Sequence, residues 1–518
     1  MIIVAEITVA IDAAGTEQKF LFSSVGWTTT PTDTPANTHV QPRLMQPANF
    51  RRELFSGNWT FGAVRAAFGE CLLANADGGL DSMIRYGFDG RRFVLRAGEK
   101  DAAYPDDFTT LLVCTMSVPW FELTETSGAV HIKLTDDIVK LDKPISPGFF
   151  AGTGGAEGTG EATGIRKPVI FGSVGHCAPK IINSSLSIYA AGFPPSGNVA
   201  TPYYAVDGGN MAYVPDADYA DYNALAAASI NANYFAVCSS LGLIRLNGVP
   251  IYGLTCALKV TDAVTGTDTS HTLAGTIIAD IATAAGITDI STDDITTLNA
   301  VRTGSYGVLV TGEESATTAL AKIANSVSAW FGFDRLGQFR VGVFDSPAGD
   351  PVWTFTPHNI KSLQRLDNQS DAGVPVWSVV ARCGHNDAPQ SNLAPSYPEW
   401  AKSWVTGEWT RQVVSVDPAI KIKHQNSNEL IIDVYTSNRQ PSATDAGEAD
   451  RRMALYGVER EMITLTSPLD MRALVSVDIG AVVTLKYPRF GWNNGKLFTV
   501  VAVALNFDLL RAEYTLWG

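Results

Sequence analysis

Short runs in which apolar and polar positions alternate recur through the first 147 residues: 19–22 (KFLF), 58–62, 93–98 (FVLRAG), 109–118 (TTLLVCTMSV) and 129–134 (AVHIKL), each bounded by turn-forming residues. A period of two sends successive side chains to opposite faces, so these runs predict strands of one β-rich unit, 1–147. Inside it, residues 86–95 (YGFDGRRFVL) place Asp89-Gly90 between strand-forming aromatics, a hairpin signal. Residues 148–164 (GFFAGTGGAEGTGEATG) then hold seven glycines, which make regular structure entropically costly. They predict a linker over 148–165 that is mobile or held only by a partner.

Residues 166–240 interleave Pro, Gly and aromatics and predict an irregular connecting region, with one Ala-rich piece, 221–230, as a short helix. A further unit, 241–351, opens on LGLIRLNGVPIYG, where Asn247-Gly248 predicts a two-residue hairpin turn. The period then changes. Leu273, Ile277 and Ile281 recur every fourth residue beside Ile278, with Thr272 or Ser270 available as a cap and Gly286 at the left-handed end. Ala316, Leu320, Ile323 and Val327 mark a second helix over 314–328, with Glu313 and Glu314 near its positive end. Two alternating strands follow around 334–337, so the unit reads as α+β. The last unit, 352–518, reads as β-rich with one helix carrying Ala446, Ala449, Met453 and Tyr456 and ending at Gly457. It closes in a meander of 482–487, 496–506 and 510–517.

Composition and charge change the picture. At 518 residues the chain exceeds the size at which one core stops growing. Charged residues make up 17%, below the roughly 25% usual for soluble domains, which fits broad uncharged interfaces. The net charge of −14, with no basic cluster, excludes tight binding of nucleic acid through its phosphates, yet suits a wall past which DNA slides. Residues 1–10 read as a strand and not as a signal peptide, and no run reaches the 18 apolar residues of a membrane span. The six cysteines are far apart and are expected as reduced core residues.

The order of motifs resembles that of hub and tip-attachment proteins (baseplate hub-like minor tail proteins) of long-tailed bacteriophages, prophages and gene-transfer particles. The string NADGGLD at 75–81, the 86–98 segment and LTDD at 134–137 resemble the first domain of such proteins. KPVIFGSV at 167–174, YYAVDG at 203–208, the 241–344 unit and the ending from VDIG at 477–480 to TLWG at 515–518, with YPRFG at 487–491 inside, follow in the same order. The resemblance implies a mixed, β-dominated fold, all-β plus α+β, with tube-like β-barrel or sandwich domains and an α+β hub insertion. It implies a structural virion protein that closes the tail tube as a homotrimer and forms part of the DNA channel. Its partners would be a distal tail or tube ring, the tape measure protein, and tip proteins or fibres. It would be assembled in the host cytoplasm and located at the tail tip or baseplate.

Candidate chemistry does not assemble along the chain, so no catalytic, cofactor or metal residue is assigned. After Gly152 and Gly154 the third position of a dinucleotide loop is Glu157. Residues 491–497 (GWNNGKL) lack one spacer and the hydroxyl of a P-loop. Asp216, Asp218 and Asp221 offer oxygens, but an EF-hand loop needs Gly where Asp221 stands and Glu where Ala227 stands. Cys383 and His385, with His358, supply three zinc ligands where a structural site takes four. Trp330, Trp404, Trp409 and Trp492 are suited to sugar binding but equally to core or interface positions. The chain therefore reads as a non-enzymatic hub, with a receptor-binding adhesin and a tail-associated cell-wall hydrolase as the alternatives.

Overall fold

The computed structural model describes residues 2–55, 65–124, 127–208, 211–263, 271–366, 374–395, 397–399, 402–436 and 443–518. The run 58–62, expected as a strand, lies outside them. Strands dominate, several sheets are present, and the fold is of the expected mixed class.

Among the described residues fourteen strands form one sheet. Its N-terminal part runs Glu17–Ser23, Ile2–Ala10, Arg92–Gly98, Thr109–Met116, Gly128–Thr135, Arg65–Ala74 and Leu44–Glu53. The sheet then passes directly to Lys496–Asn506, Arg511–Trp517, Met462–Pro468 and Ser362–Arg365. Both parts curl. Ile2–Ala10 comes back against Leu44–Glu53, so that Ala5, Ile7, Ala48 and Phe50 share one core. In the C-terminal part Trp353–Phe355 pairs with Val482–Leu485, which pairs with Lys496–Asn506. Trp353–Phe355 and Ser362–Arg365, successive in the chain, thus sit at opposite ends of a six-stranded path wrapped around Phe355 and Tyr514, whose rings are 5.2 Å apart. Among the described residues neither part closes into a barrel.

The region 166–240, expected as irregular, is instead mostly sheet. Its strands Val169–Cys177, Lys180–Asn183, Ile188–Ala190, Asn198–Asp207, Met211–Asp218 and Tyr234–Cys238 join Leu243–Leu246, Leu254–Asp262 and Gly307–Val310 in a sheet that has nine strands among the described residues. Every residue of Val169–Cys177 is buried, and a strand covered on both faces shows no alternation. The two Asx-Gly turns are also not hairpins. Gly87 bonds Ala10 and Asp89 bridges Met116, while Arg92–Gly98 pairs with other strands. After Gly248 the chain makes a wider loop, because the buried Asp207 carboxylate accepts the N–H groups of Ile251, Tyr252 and Gly253.

The glycine-rich segment is held by the chain itself, which corrects the expectation of a mobile or partner-held linker. Phe150 is buried among Ala162, Ile182 and Leu225. Glu157 accepts from Ala151 N–H and from Lys167, and Thr159 N–H donates to Ile182. Left-handed glycines such as Gly152 and Gly158 permit the tight turns this requires.

The helices Ala274–Ala284 and Ala316–Val327 form as their spacing dictates, the first starting at Leu273 without a side-chain cap, the second capped by Ser315 and ending at left-handed Ser328. A third, Thr292–Val301, packs on the first. The hairpin Ala329–Phe333 with Phe339–Val343 follows around Asp334, which accepts from Leu336 and Gln338 N–H. These elements bury Ile277, Leu320 and Phe331 in the same cluster as both halves of the large sheet. A small sheet of Trp409–Val416, Ser378–His385 and Glu429–Val434 packs on helix Ala443–Tyr456.

Candidate functional site

The two halves of the large sheet meet along five residue pairs, Asn49–Asn506, Phe50–Leu505, Arg51–Ala504, Arg52–Val503 and Glu53–Ala502. Alternation assigns Phe50, Val503 and Leu505 to the core face, where all three are buried. Arg52 falls on that face too. Its side chain is 3% exposed and reaches Asp478 at 2.6 Å.

Asp478 also accepts the N–H of Arg335 at 3.4 Å. The Arg335 carbonyl accepts from Val113 N–H at 2.7 Å, and its guanidinium donates to the Thr110 carbonyl. Three parts of the chain are therefore clamped at one point, around a cavity of about 450 Å³ that Arg340, Asp294 and Trp330 also line. Burial pushes the Asp334 carboxyl up and the Arg335 guanidinium down, as expected for charges withdrawn from water. A second clamp lies between the α+β elements and helix Ala443–Tyr456. There Asp345 bridges Arg302 at 2.8 Å and Arg451 at 2.5 Å, and fully buried Arg452 pairs with Glu448 at 2.6 Å.

On the opposite face of the seam two cross-strand rows line a trough of about 810 Å³. One row is Lys133, Glu70, Asn49, Asn506 and Arg511; the other is Thr135, Phe68, Arg51, Ala504, Glu513 and Thr466. Both cross the seam, so a body seated in the trough touches both halves of the chain. Beside it His131 is held between Glu70 at 2.9 Å and Glu122 at 3.0 Å under the Trp120 ring. Half-exposed Phe68 and Leu509 give the trough apolar spots among charged side chains of both signs.

No protein-family model matches the sequence, and no curated protein does. The chain is similar in structure to tail proteins, two of them from prophages. A tail protein from Neisseria meningitidis MC58 aligns over 99% of this chain and 96% of its own, at 10% identity and a TM-score of 0.43. The 43 kDa tail protein of prophage MuSo2 from Shewanella oneidensis aligns over 100% and 98%, at 11% identity and 0.41. The prophage tail protein gp18 from Listeria monocytogenes EGD-e aligns over 100% and 94%, at 8% identity and 0.37.

The residues weighed for chemistry lie apart from the trough, each in a structural setting. Cys383 is buried, while His385, two residues on, sits against Trp409 and Tyr435 and within 3.6 Å of Asp387; His358 is in an exposed turn. Asp221 caps helix Tyr222–Ala227, and Asp218 accepts from Ser239 N–H. Lys496 and Trp492 both donate to Glu461. Trp330 is buried against Gly342 and Gly480, and the Trp404 carbonyl accepts from Asn386. Among the described residues no three His, Cys, Asp or Glu side chains gather within metal-holding reach. The seam was not singled out in sequence. Its one signal is the stretch 49–54 (NFRREL), where Phe50, Arg52 and Leu54 share a face and the middle member is charged.

Proposed function

We propose that the chain is a structural hub of a phage-type tail tip, a non-enzymatic component that closes the tail tube and anchors tip proteins or fibres. The observation that carries this reading is the seam: two curled β-units from opposite ends of one chain stand side by side in a single sheet. Three such chains place six β-units around an axis, which adapts a sixfold tube ring to a threefold tip, and closed cyclic symmetry leaves no interface unsatisfied. The α+β elements share the core of the two units and tie them together through the Arg52–Asp478–Arg335 clamp. The trough across the seam is the surface offered to an adjoining tail subunit. The net charge of −14 suits a channel wall to which DNA does not adhere.

The test is the mass of the protein by light scattering together with the symmetry of its ring in particle images. Three copies per ring are expected. A chain that stays monomeric on the tail, or a ring of six copies, overturns the trimer.

A further inference from the structure

Cys177 closes strand Val169–Cys177, and Cys256 lies directly opposite it on Leu254–Asp262. Their Sγ atoms are 3.5 Å apart, and Cys177 Sγ also donates to the Cys256 carbonyl at 3.4 Å. Both are fully buried, in a core shared with Val174, Ala205 and Leu258. The chain between them is an excursion. It leaves at Cys177, builds the strands from Lys180–Asn183 to Leu243–Leu246 and helix Tyr222–Ala227, and returns at Cys256, 79 positions on. The two thiols stand opposite each other at its two ends, its neck, and the excursion's strand Asn198–Asp207 also pairs along Leu254–Asp262.

We propose that Cys177 and Cys256 are an oxidation site that closes to a disulfide when the protein passes from reducing to oxidising surroundings, stapling the neck of the excursion. Opposed residues of an antiparallel pair lie within the Cα range a disulfide spans, and with the Sγ atoms already 3.5 Å apart the bond needs only a short approach of the two side chains. The step consumes a small-molecule disulfide as oxidant. Two S–H bonds are lost and one S–S bond forms; two electrons and two protons pass to the oxidant, whose own S–S bond breaks to two thiols. The Cys256 contact and burial hold the Cys177 thiol well above its usual range, so the pair is inert until the neck opens briefly. Once closed, the bond restricts a long loop of the opened state, where cross-linking is most effective.

The experiment uses the full chain, purified reduced and then held in its folded state with oxidised glutathione. Peptide mapping without reduction is expected to show one linked peptide joining Cys177 to Cys256 and loss of two of the six thiols. Proteolysis within 178–255 is expected to slow about tenfold, reversibly with dithiothreitol. Cys177→Ser and Cys256→Ser each remove the link. Persistence of all six thiols, glutathione adducts without the internal link, a link between other cysteines, or a link that leaves the cleavage rate unchanged overturns the proposal, and the wild-type mapping decides even where a variant does not fold.

Discussion

Arg52 stands at a position whose neighbours on the same face, Phe50 and Leu54, are buried apolar side chains, and it is buried as they are. It is stable there because Asp478 meets its guanidinium at 2.6 Å. Removing one partner of such a pair leaves the other charge poorly solvated and without its counter-charge. Arg52→Ala is expected to cost about 3 kcal/mol, read as a lowered urea midpoint, with Arg52→Met/Asp478→Leu recovering part of the loss. In the sequence, alternation with Phe50 and Leu54 sets Arg52 apart from Arg51, but only the register shows which distant strand covers it. Asp345 offers a pH readout. Burial alone would raise its carboxyl, but Arg451 and Arg302 outweigh this and leave it below the usual value of 3.8. A depressed carboxyl contributes its stability above the unfolded pKa and loses it as pH falls through the folded one. Asp345→Asn should therefore unfold with a shallower dependence on pH below about 4 than the wild type, and equal slopes would remove Asp345 from the pH response.

Elements were legible where one face is buried and the other wet. The helices Ala274–Ala284 and Ala316–Val327, the 330–344 hairpin and the final meander follow from their periods. The nine-stranded sheet did not, because its strand Val169–Cys177 is covered on both sides and interrupted by Gly172 and Gly175. Gly172 and Gly307 face each other so closely that a Cβ on Gly172 would lie 2.3 Å from the Tyr306 carbonyl oxygen. Glycine there marks close packing, where a sequence reading sees a break. The last strand, Arg511–Trp517, is paired on both sides, with Lys496–Asn506 and with Met462–Pro468. Deleting it opens the sheet in its middle. Such a truncation is expected to be insoluble or unfolded by circular dichroism, and a soluble, native-like product would contradict the pairing.

At the scale of the whole molecule the two β-units are one thermodynamic body, since Ile7 and Leu73 from the first share a buried cluster with Leu465 and Leu516 from the last. Calorimetry is expected to show them unfolding in a single transition; two well-separated transitions assigned to residues 1–147 and 352–518 would sever the shared core. No local pattern announces this union, because alternation tells a strand which side faces inward and nothing about which distant strand lies beside it. The seam also orders events in time. Leu44–Glu53 leaves the ribosome some 450 residues before the strand that covers its edge, and at roughly 5–20 residues per second it waits on the order of half a minute or more with bare N–H and C=O groups. During that interval each nascent chain displays an edge that any other extended segment, including the same strand of a neighbouring polypeptide, is able to pair with. The yield of folded protein should thus depend on how crowded its own synthesis is.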